Sequence, residues 1–263
     1  MNPEVMTTLY TATRRTKNAI RSFATVIALC CMFGTGCASE ENGIRLFVAS
    51  SMTDFIQQIA ASHMTAHPGS GLEINIAGSG TLLSQLEEGA GADVVILAGS
   101  DYMLRLQDFG SFLPPVQVAS TSLSVVVSPE LVAADISMQD LRVGRLQGAA
   151  CVISAPCGQL AEEFAAATGL DLNSFTREAN VRSVLAKVER GEVDFGLVYR
   201  TDFLSSEAQI GEISNSGAEM FVTFYSLAVA RDTPDMTQAA SLLDLITAPS
   251  GQEQLRQLGF EVP

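Results

Sequence analysis

The chain has 263 residues, of which 47% are hydrophobic and 17% are charged. This length and composition are typical of one large globular domain or two smaller ones, and they exclude a disordered chain, a collagen and a disulfide-rich miniprotein. The 29 acidic and 15 basic residues give a net charge of −14, which repels a phosphate backbone and argues against general nucleic-acid binding. An anion bound by this chain must therefore be held by local dipoles.

The first 36 residues differ from the rest of the chain. Basic residues precede an apolar run over residues 23–33, which is followed by small residues and Cys37. The run is much shorter than the ~20 residues that a spanning helix needs, so we predict a secretory signal peptide over residues 1–36. That segment holds four basic residues and one acidic residue, which leaves 11 basic and 28 acidic residues and a net charge of −17 in the exported chain.

Cys37 follows small residues and precedes the polar segment 38–43. The arrangement resembles a lipoprotein cleavage site followed by a flexible linker, and it predicts lipidation of Cys37 and a lipid-anchored tether over residues 37–43. Simple cleavage near this position is the alternative, and a single acyl chain gives only marginal anchoring. The predicted location is the periplasm or the outer face of the cell membrane.

From residue 44, short apolar runs alternate with segments of helical periodicity. The runs are rich in Val, Ile and Leu, which is typical of buried strands. We predict strands over 44–49, 72–77, 93–98, 123–127, 150–153, 194–199 and 224–230, and helices over 53–67, 81–89, 100–109, 158–168, 181–191, 237–247 and 251–259. This order predicts an α/β fold of mainly parallel sheets flanked by helices, with a ligand site beyond the carboxyl ends of the strands.

Two extended stretches interrupt the alternation, one around residues 114–121 and one around residues 217–226. They bracket about 100 residues, which suggests an inserted lobe. We predict a first lobe from residues 44–121 and 226–263, a second lobe from residues 122–225, and a hinge at the two crossings.

Serines stand where the first two predicted strands give way to helices. Ser51 follows the first strand, and Ser79 follows the second strand between Gly78 and Gly80. One interpretation is a helix N-cap, in which the hydroxyl accepts a hydrogen bond from a free backbone N–H. The other is an anion site, because a helix N-terminus carries free N–H groups and a partial positive charge. The glycines would allow the backbone to approach a ligand closely.

Seven segments carry a family pattern, namely VASSMT at 48–53, GSGTL at 78–82, GADV at 91–94, NVR at 180–182, VERGE at 188–192, GLVY at 196–199 and GF at 259–260. Their order and spacing resemble those of the molybdate-binding proteins of ABC transporters, which are two-lobed periplasmic-type binding proteins. The similarity covers residues 44–263. It implies a type II periplasmic-binding-protein fold with a ligand cleft between the lobes, and capture of molybdate and tungstate for an ABC importer.

In that family, two serine hydroxyls, two backbone N–H groups and a tyrosine hydroxyl hold the oxyanion. The resemblance implies that Ser51, Ser79 and Tyr199 donate through their hydroxyls and that Cys157 and Val181 donate through backbone N–H groups. Molybdenum would be held as molybdate through these five residues. Without the resemblance, Tyr199 would be interpreted as a core aromatic whose hydroxyl bonds a backbone carbonyl. No catalytic residue is predicted, and no cofactor is expected besides the oxyanion ligand.

Neutral donors suit a fully ionised tetrahedral anion, because each charge-assisted hydrogen bond contributes roughly 1.5–3 kcal/mol. A pocket without an acceptor leaves the O–H of a protonated anion unpaired, which excludes monohydrogen phosphate. Sulfate is the alternative ligand, and only pocket size would discriminate against it. Arg182 and Arg200 adjoin two of the donors and are predicted to be solvated. Structural roles at caps or strand ends are assigned to Asp54, Asp93, Asp101 and Asp194.

Cys151 and Cys157 are the only cysteines after Cys37. In an exported protein such a pair suggests a disulfide, with two free thiols and a metal site as alternatives. One branch of the family carries a paired cysteine, so the resemblance implies a bridge that shapes the loop presenting the N–H of Cys157.

His63 and His67 have the i, i+4 spacing of a zinc pair, but no third ligand accompanies them, and a solvated helix face is predicted instead. A serine hydrolase is the alternative enzyme class. It is disfavoured because the serines lack the Gly-x-Ser-x-Gly elbow and both histidines are poorly placed as a general base. We expect a monomeric binding protein that is not an enzyme, docks on a membrane ABC permease and binds no nucleic acid.

Overall fold

The computed structural model describes residues 43–69 and 71–263, so the predicted signal peptide and the lipid site at Cys37 lie outside the described residues. No helix within the described ranges is long and apolar enough to cross a membrane. The strands are β1 Ile44–Ala49, β2 Leu72–Ala77, β3 Val94–Ala98, β4 Val116–Val127, β5 Gly148–Cys151, β6 Thr176–Glu178, β7 Phe195–Tyr199, β8 Gly211–Glu212 and β9 Val222–Val229. The helices are α1 Thr53–Ala66, α2 Ser79–Glu87, α3 Ser100–Asp108, α4 Met138–Arg142, α5 Pro156–Thr168, α6 Val181–Glu189, α7 Arg200–Leu204, α8 Met236–Thr247 and α9 Pro249–Gln257.

One path of hydrogen-bonded strands runs through the molecule in the order β2-β1-β3-β9-β4-β7-β5-β6. The strands β2, β1 and β3 are parallel to one another, as are β7, β5 and β6. Between these two groups lie β9 and β4, which pair antiparallel with each other and with their outer neighbours. The α/β fold with mainly parallel sheets and flanking helices, predicted from the alternation, is confirmed.

The long strand β4 joins the two parallel groups. Its first part, Val116 to Ser122, pairs with β9, and its second part, Leu123 to Val127, pairs with β7. The sequence predicted a strand from residue 123 and an extended stretch around residues 114–121. The stretch is extended, and its pairing with β9 is a feature that the sequence analysis did not predict.

Buried side chains gather on both faces of each parallel group. Two clusters pack around β1 and β3, with Phe55, Leu82 and Leu242 among their members. Two others pack around β5 and β7, with Phe164 and Val184 among theirs. We call the part built on β1–β3 the first half and the part built on β5–β7 the second half. The predicted lobe boundaries and hinge remain a prediction.

All seven predicted strands and seven predicted helices are present, with ends shifted by a few residues. The short strands β6 and β8 and the five-residue helices α4 and α7 were not predicted, because segments this short carry no clear periodicity. The helix predicted from residue 158 begins at Pro156, where the fixed φ of proline suits a first helical turn.

Candidate functional site

A small pocket lies between the two halves. Its volume, measured up to the opening toward solvent, is about 220 Å³. Its lining contains all five residues of the predicted oxyanion site, together with backbone of the neighbouring segments: Ala49, Ser50, Ser51, Gly78, Ser79, Ala98, Ala155, Pro156, Cys157, Asn180, Val181 and Tyr199. None of the five predicted residues is more than 4% exposed, so all five are buried around the pocket.

The pocket lies where the parallel strands end. Strands β1, β2 and β3 end at Ala49, Ala77 and Ala98, and the pocket lining continues directly from these positions. On the opposite side, Tyr199 ends β7, while short loops after β5 and β6 lead to Pro156 and to Val181. The two sets of carboxyl ends therefore meet at one point, as expected for a binding site in a fold of this class.

Ser51 belongs to a short 3₁₀ helix, Ser50–Met52, that leads into α1. Its side chain forms no helix cap, so the N-cap interpretation is wrong for this residue. Instead, the hydroxyl of Tyr225 donates a buried hydrogen bond to Ser51 Oγ, with 2.8 Å between the two oxygens. Because this oxygen already accepts a hydrogen bond, the O–H of Ser51 is left as a donor toward the pocket.

Ser79 is the first residue of α2, and Gly78 takes the N-cap position without a side-chain bond. The N-cap interpretation is therefore wrong here as well. The backbone N–H of Ala98, at the end of β3, donates to Ser79 Oγ at 2.9 Å. As with Ser51, the oxygen is occupied as an acceptor and its O–H is left to donate.

The second half contributes two helix starts. Cys157 is the second residue of α5, after Pro156, and Val181 is the first residue of α6. The first N–H groups of a helix have no intrahelical acceptor, and they carry the positive end of the helix dipole. The side chain of Asn180 caps α6 by accepting from Ser183 N at 3.0 Å, which leaves the N–H of Val181 uncapped by this residue.

Tyr199 fills space in the core, but its hydroxyl does not bond a backbone carbonyl as the core interpretation requires. The hydroxyl lies beside that of Thr223 and forms no hydrogen bond of standard geometry among the described residues. Burial, with the Asp202 carboxylate adding to it, raises the pKa of Tyr199 well above its usual value. The phenol therefore keeps its proton and can donate it to a ligand.

The pocket is lined by uncharged residues. Within the described chain, none of the residues that line it is acidic or basic. Residues at four helix starts line it, those of Ser50–Met52, α2, α5 and α6, and three hydroxyl side chains lie among them. Because helix starts and hydroxyls supply donors and no cation is present among these residues, the arrangement suits an anion that carries no proton.

The loop that carries Cys157 is linked to the end of β5. The structure pairs Cys151 with Cys157, and their Cα atoms are 5.7 Å apart. Cys151 is the last residue of β5 and Cys157 lies in the first turn of α5, so the pair ties the two ends of this loop together. No group of three or more potential metal-ligating side chains was found among the described residues.

Glycines allow the halves to touch beside the pocket. A Cβ atom on Gly78 would lie 2.7 Å from the carbonyl oxygen of Ala179, and one on Gly80 would lie 2.1 Å from that of Ser154. Both contacts join the first half to the second. The glycines that were predicted to approach the ligand therefore permit close backbone contact between the halves.

Arg182 is not solvated as predicted, whereas Arg200 is exposed as predicted. The side chain of Arg182 is 27% exposed, and its guanidinium pairs with Asp202 and with Asp54. Arg200 is more exposed but pairs with Glu212. Arg182 does not lie on the buried face of α6, which is why a solvated side chain was predicted. Its acidic partners, Asp54 and Asp202, lie in other helices and could not be inferred from the local sequence.

The histidine prediction was also wrong. His63 is fully buried, and His67 is partly buried with its Nε2 2.9 Å from Ser241 Oγ. A signal for this existed, because His63 lies four residues after Ile59 and three after Ala60 on the buried face of α1. Burial, together with the neighbouring His67, lowers the pKa of His63.

Three further residues of the site region were not predicted. Tyr225 orients Ser51, Asn180 caps α6, and the fully buried Asp202 lies in α7 just after Tyr199. Burial raises the pKa of Asp202 to about 7, although Arg182 opposes the rise. Asn180 carries a recognisable N-cap signal before an apolar helix, whereas Tyr225 and Asp202 acquire their roles only through tertiary contacts.

Residues 44–261 match the family of bacterial extracellular solute-binding proteins. The chain belongs to this family. Among its relatives, the molybdate-binding protein ModA of Mycobacterium tuberculosis H37Rv is 31% identical over 229 residues, which cover 87% of this chain and 88% of the relative. The resemblance to molybdate-binding proteins stated from the sequence motifs is thus confirmed.

Solved structures share the fold of this solute-binding protein. The periplasmic molybdate-binding protein of Azotobacter vinelandii superposes with a TM-score of 0.73 at 18% identity, covering 84% of this chain and 99% of the other. The sulfate-binding protein SubI of Mycobacterium tuberculosis H37Rv superposes with a TM-score of 0.68 at 14% identity, covering 83% and 86%. Both show the architecture alone.

Proposed function

We propose that the protein captures molybdate, and tungstate with it, outside the cytoplasm and delivers it to an ABC permease in the membrane. The observation that carries this proposal is the convergence of helix starts and donor hydroxyls on one uncharged pocket. The ModA relatives support the choice of anion. The donors would be the hydroxyls of Ser51, Ser79 and Tyr199 and the backbone N–H groups of Cys157 and Val181.

The same geometry argues for binding without catalysis. A nucleophilic serine needs a base that accepts its proton, and none of the described residues that line the pocket with Ser51 and Ser79 is acidic or basic. No histidine lines the pocket among the described residues, and the buried His63 faces His67 and Gln238. We therefore propose that the protein is not an enzyme and needs no cofactor.

Several features of the mature protein belong to the same proposal. The chain would act as a monomer, and Cys37 would carry the lipid that holds it at the outer face of the cell membrane. Its cleft would open about a hinge at β4 and β9, which join the two halves. The Cys151–Cys157 pair would be a disulfide in the oxidising space outside the cytoplasm. An intact mass without an acyl addition would contradict the lipid.

Equilibrium dialysis tests the function directly. The purified protein is dialysed against micromolar molybdate, and the bound molybdenum is measured by elemental mass spectrometry. We expect one molybdenum per chain, retained in the presence of excess phosphate. Absence of retained molybdenum would contradict the proposal, whereas displacement by equimolar sulfate would identify sulfate as the ligand.

A further inference from the structure

The side chain of Arg182 connects the two halves of the molecule. Arg182 is the second residue of α6, directly after Val181, which begins the helix and lines the pocket. Its Nε lies 2.6 Å from Asp202 Oδ1 in the second half. Its Nη2 donates to Asp54 Oδ2, in the first turn of α1 in the first half, at 2.5 Å.

The two partners of Arg182 differ in environment. Asp202 is fully buried within the same half, so its pairing with Arg182 does not depend on the cleft being closed. The side chain of Asp54 is 40% exposed and belongs to the other half. Among the ion pairs of residues 43–69 and 71–263, Arg182–Asp54 is the one that joins the halves.

We propose that Arg182 is a positioning residue that latches the closed cleft through Asp54 and thereby holds the N–H of Val181 against the bound anion. This inference rests on the proposed function. The pair forms only when the halves meet, so it favours the closed state over the open state, and its strength enters the ligand affinity through that equilibrium. The buried Asp202 fixes the guanidinium in advance, which reduces the entropy lost when Asp54 arrives.

The variant of choice is Asp54→Asn. Replacing Arg182 would leave Asp202 as a buried, unpaired carboxyl and could unfold the protein, whereas Asp54→Asn keeps the Arg182–Asp202 pair. Asp101→Asn is the matched control, because Asp101 also occupies the second position of its helix, α3, and is in no ion pair of the described residues. Both changes remove the same interaction with a helix dipole.

Molybdate titration of the purified protein at pH 8 measures how much the Arg182–Asp54 pair contributes to ligand affinity. We expect Asp54→Asn to weaken binding about three- to tenfold, mainly through faster dissociation, as a half-exposed pair allows. Asp54→Glu should restore much of the loss, and Asp101→Asn should bind like wild type. Equal affinity and dissociation rate in wild type and Asp54→Asn would overturn the proposal.

A second readout separates failure of the latch from failure of the proposed function. Spin labels at Glu88→Cys and Asn173→Cys, both exposed and in opposite halves, report the distance between the halves without ligand. If wild type does not bind molybdate, the proposed function is contradicted. The latch proposal can still be tested, because it predicts a smaller closed population in ligand-free Asp54→Asn than in ligand-free wild type. Identical distance distributions in the two proteins would overturn it.

Discussion

The hydroxyl groups of Ser51 and Ser79 are held so that each can donate a hydrogen bond to a ligand. Each oxygen already accepts one hydrogen bond, from Tyr225 and from Ala98, at 2.8 and 2.9 Å. A hydroxyl has a single proton, which stays available to a ligand when another group donates to the oxygen. We therefore expect Tyr225 and the N–H of Ala98 to contribute to selectivity for a fully deprotonated anion.

Removing either hydroxyl should weaken molybdate binding. Ser51→Ala and Ser79→Ala each leave an anionic oxygen without a donor, which costs about 1–3 kcal/mol of binding free energy. Calorimetry of each variant measures the loss, with Ser62→Ala on the exposed side of α1 as the control. Wild-type affinity in both pocket variants would place the ligand elsewhere.

At the scale of elements, the start of α2 and the loop between β5 and α5 approach each other so closely that a side chain is excluded. The Cβ of an alanine at position 80 would lie 2.1 Å from the carbonyl oxygen of Ser154. Gly80 lies within α2 and has no positive φ, so alanine suits the helix itself. Contact between the halves, and not the local backbone, therefore requires glycine here.

Gly80→Ala should separate binding from stability. The change should lower molybdate affinity roughly tenfold or more, because the closed contact is blocked and each tenfold loss corresponds to only 1.4 kcal/mol. The midpoint of thermal unfolding without ligand should not fall, since alanine is the better helix former. Ser84→Ala, on the exposed face of the same helix, is the control. Unchanged affinity would argue against closure at this contact.

The Cys151–Cys157 pair joins the ends of the loop that leads to the proposed backbone donor at Cys157. The double variant Cys151→Ala/Cys157→Ala keeps the N–H at position 157 but frees the loop, so we expect roughly three- to tenfold weaker binding through lost preorganisation. Treating wild type with reductant should have the same effect. If both samples bind molybdate as tightly as oxidised wild type, the pair has no role in shaping the site.

At the scale of the whole molecule, His63 links stability to pH. Burial and His67 lower the pKa of His63 in the folded state below the 6.5 of an unperturbed histidine. Below pH 6.5 the unfolded chain therefore binds a proton that the folded chain does not, and the free energy of unfolding falls as the pH drops, by up to about 1.4 kcal/mol per pH unit. The groups around the ring are His67, Gln238 and, beside His67, Asp235.

Urea unfolding at pH 7.5, 6.5 and 5.5 measures this dependence. We expect wild type to lose stability between pH 6.5 and 5.5 more steeply than His63→Gln, which has no proton to take up at this position. The difference between the two slopes isolates His63 from the carboxylates that titrate at lower pH. Parallel slopes would contradict the assignment.

Much of the fold could be predicted because it depends on local periodicity. The apolar runs predicted the strands on both sides of the pocket, and the rule that sites follow parallel strands placed Ser51 and Ser79 where the pocket is found, while Val181 was implied by the family resemblance. The pairing of β4 with β9 and the contact of Arg182 with Asp54 join residues 100 or more positions apart. Periodicity carries no information about such contacts.

The acidic surface and the anion site are compatible because the pocket uses no cation. A net charge of −14 would oppose an anion bound by long-range attraction. Helix dipoles and hydroxyls act over a few ångströms, and they favour the anion only once it is enclosed. Binding should therefore depend on closure and on the fit of the anion, more than on its charge alone.

Calorimetric titration of the purified protein with molybdate, tungstate, sulfate and phosphate at neutral pH tests this account most directly. It predicts tight one-to-one binding of molybdate and tungstate, with no heat from sulfate or phosphate. Binding of phosphate, or silence toward molybdate, would contradict the central claim that a closed pocket of neutral donors selects a large, fully ionised tetrahedral oxyanion.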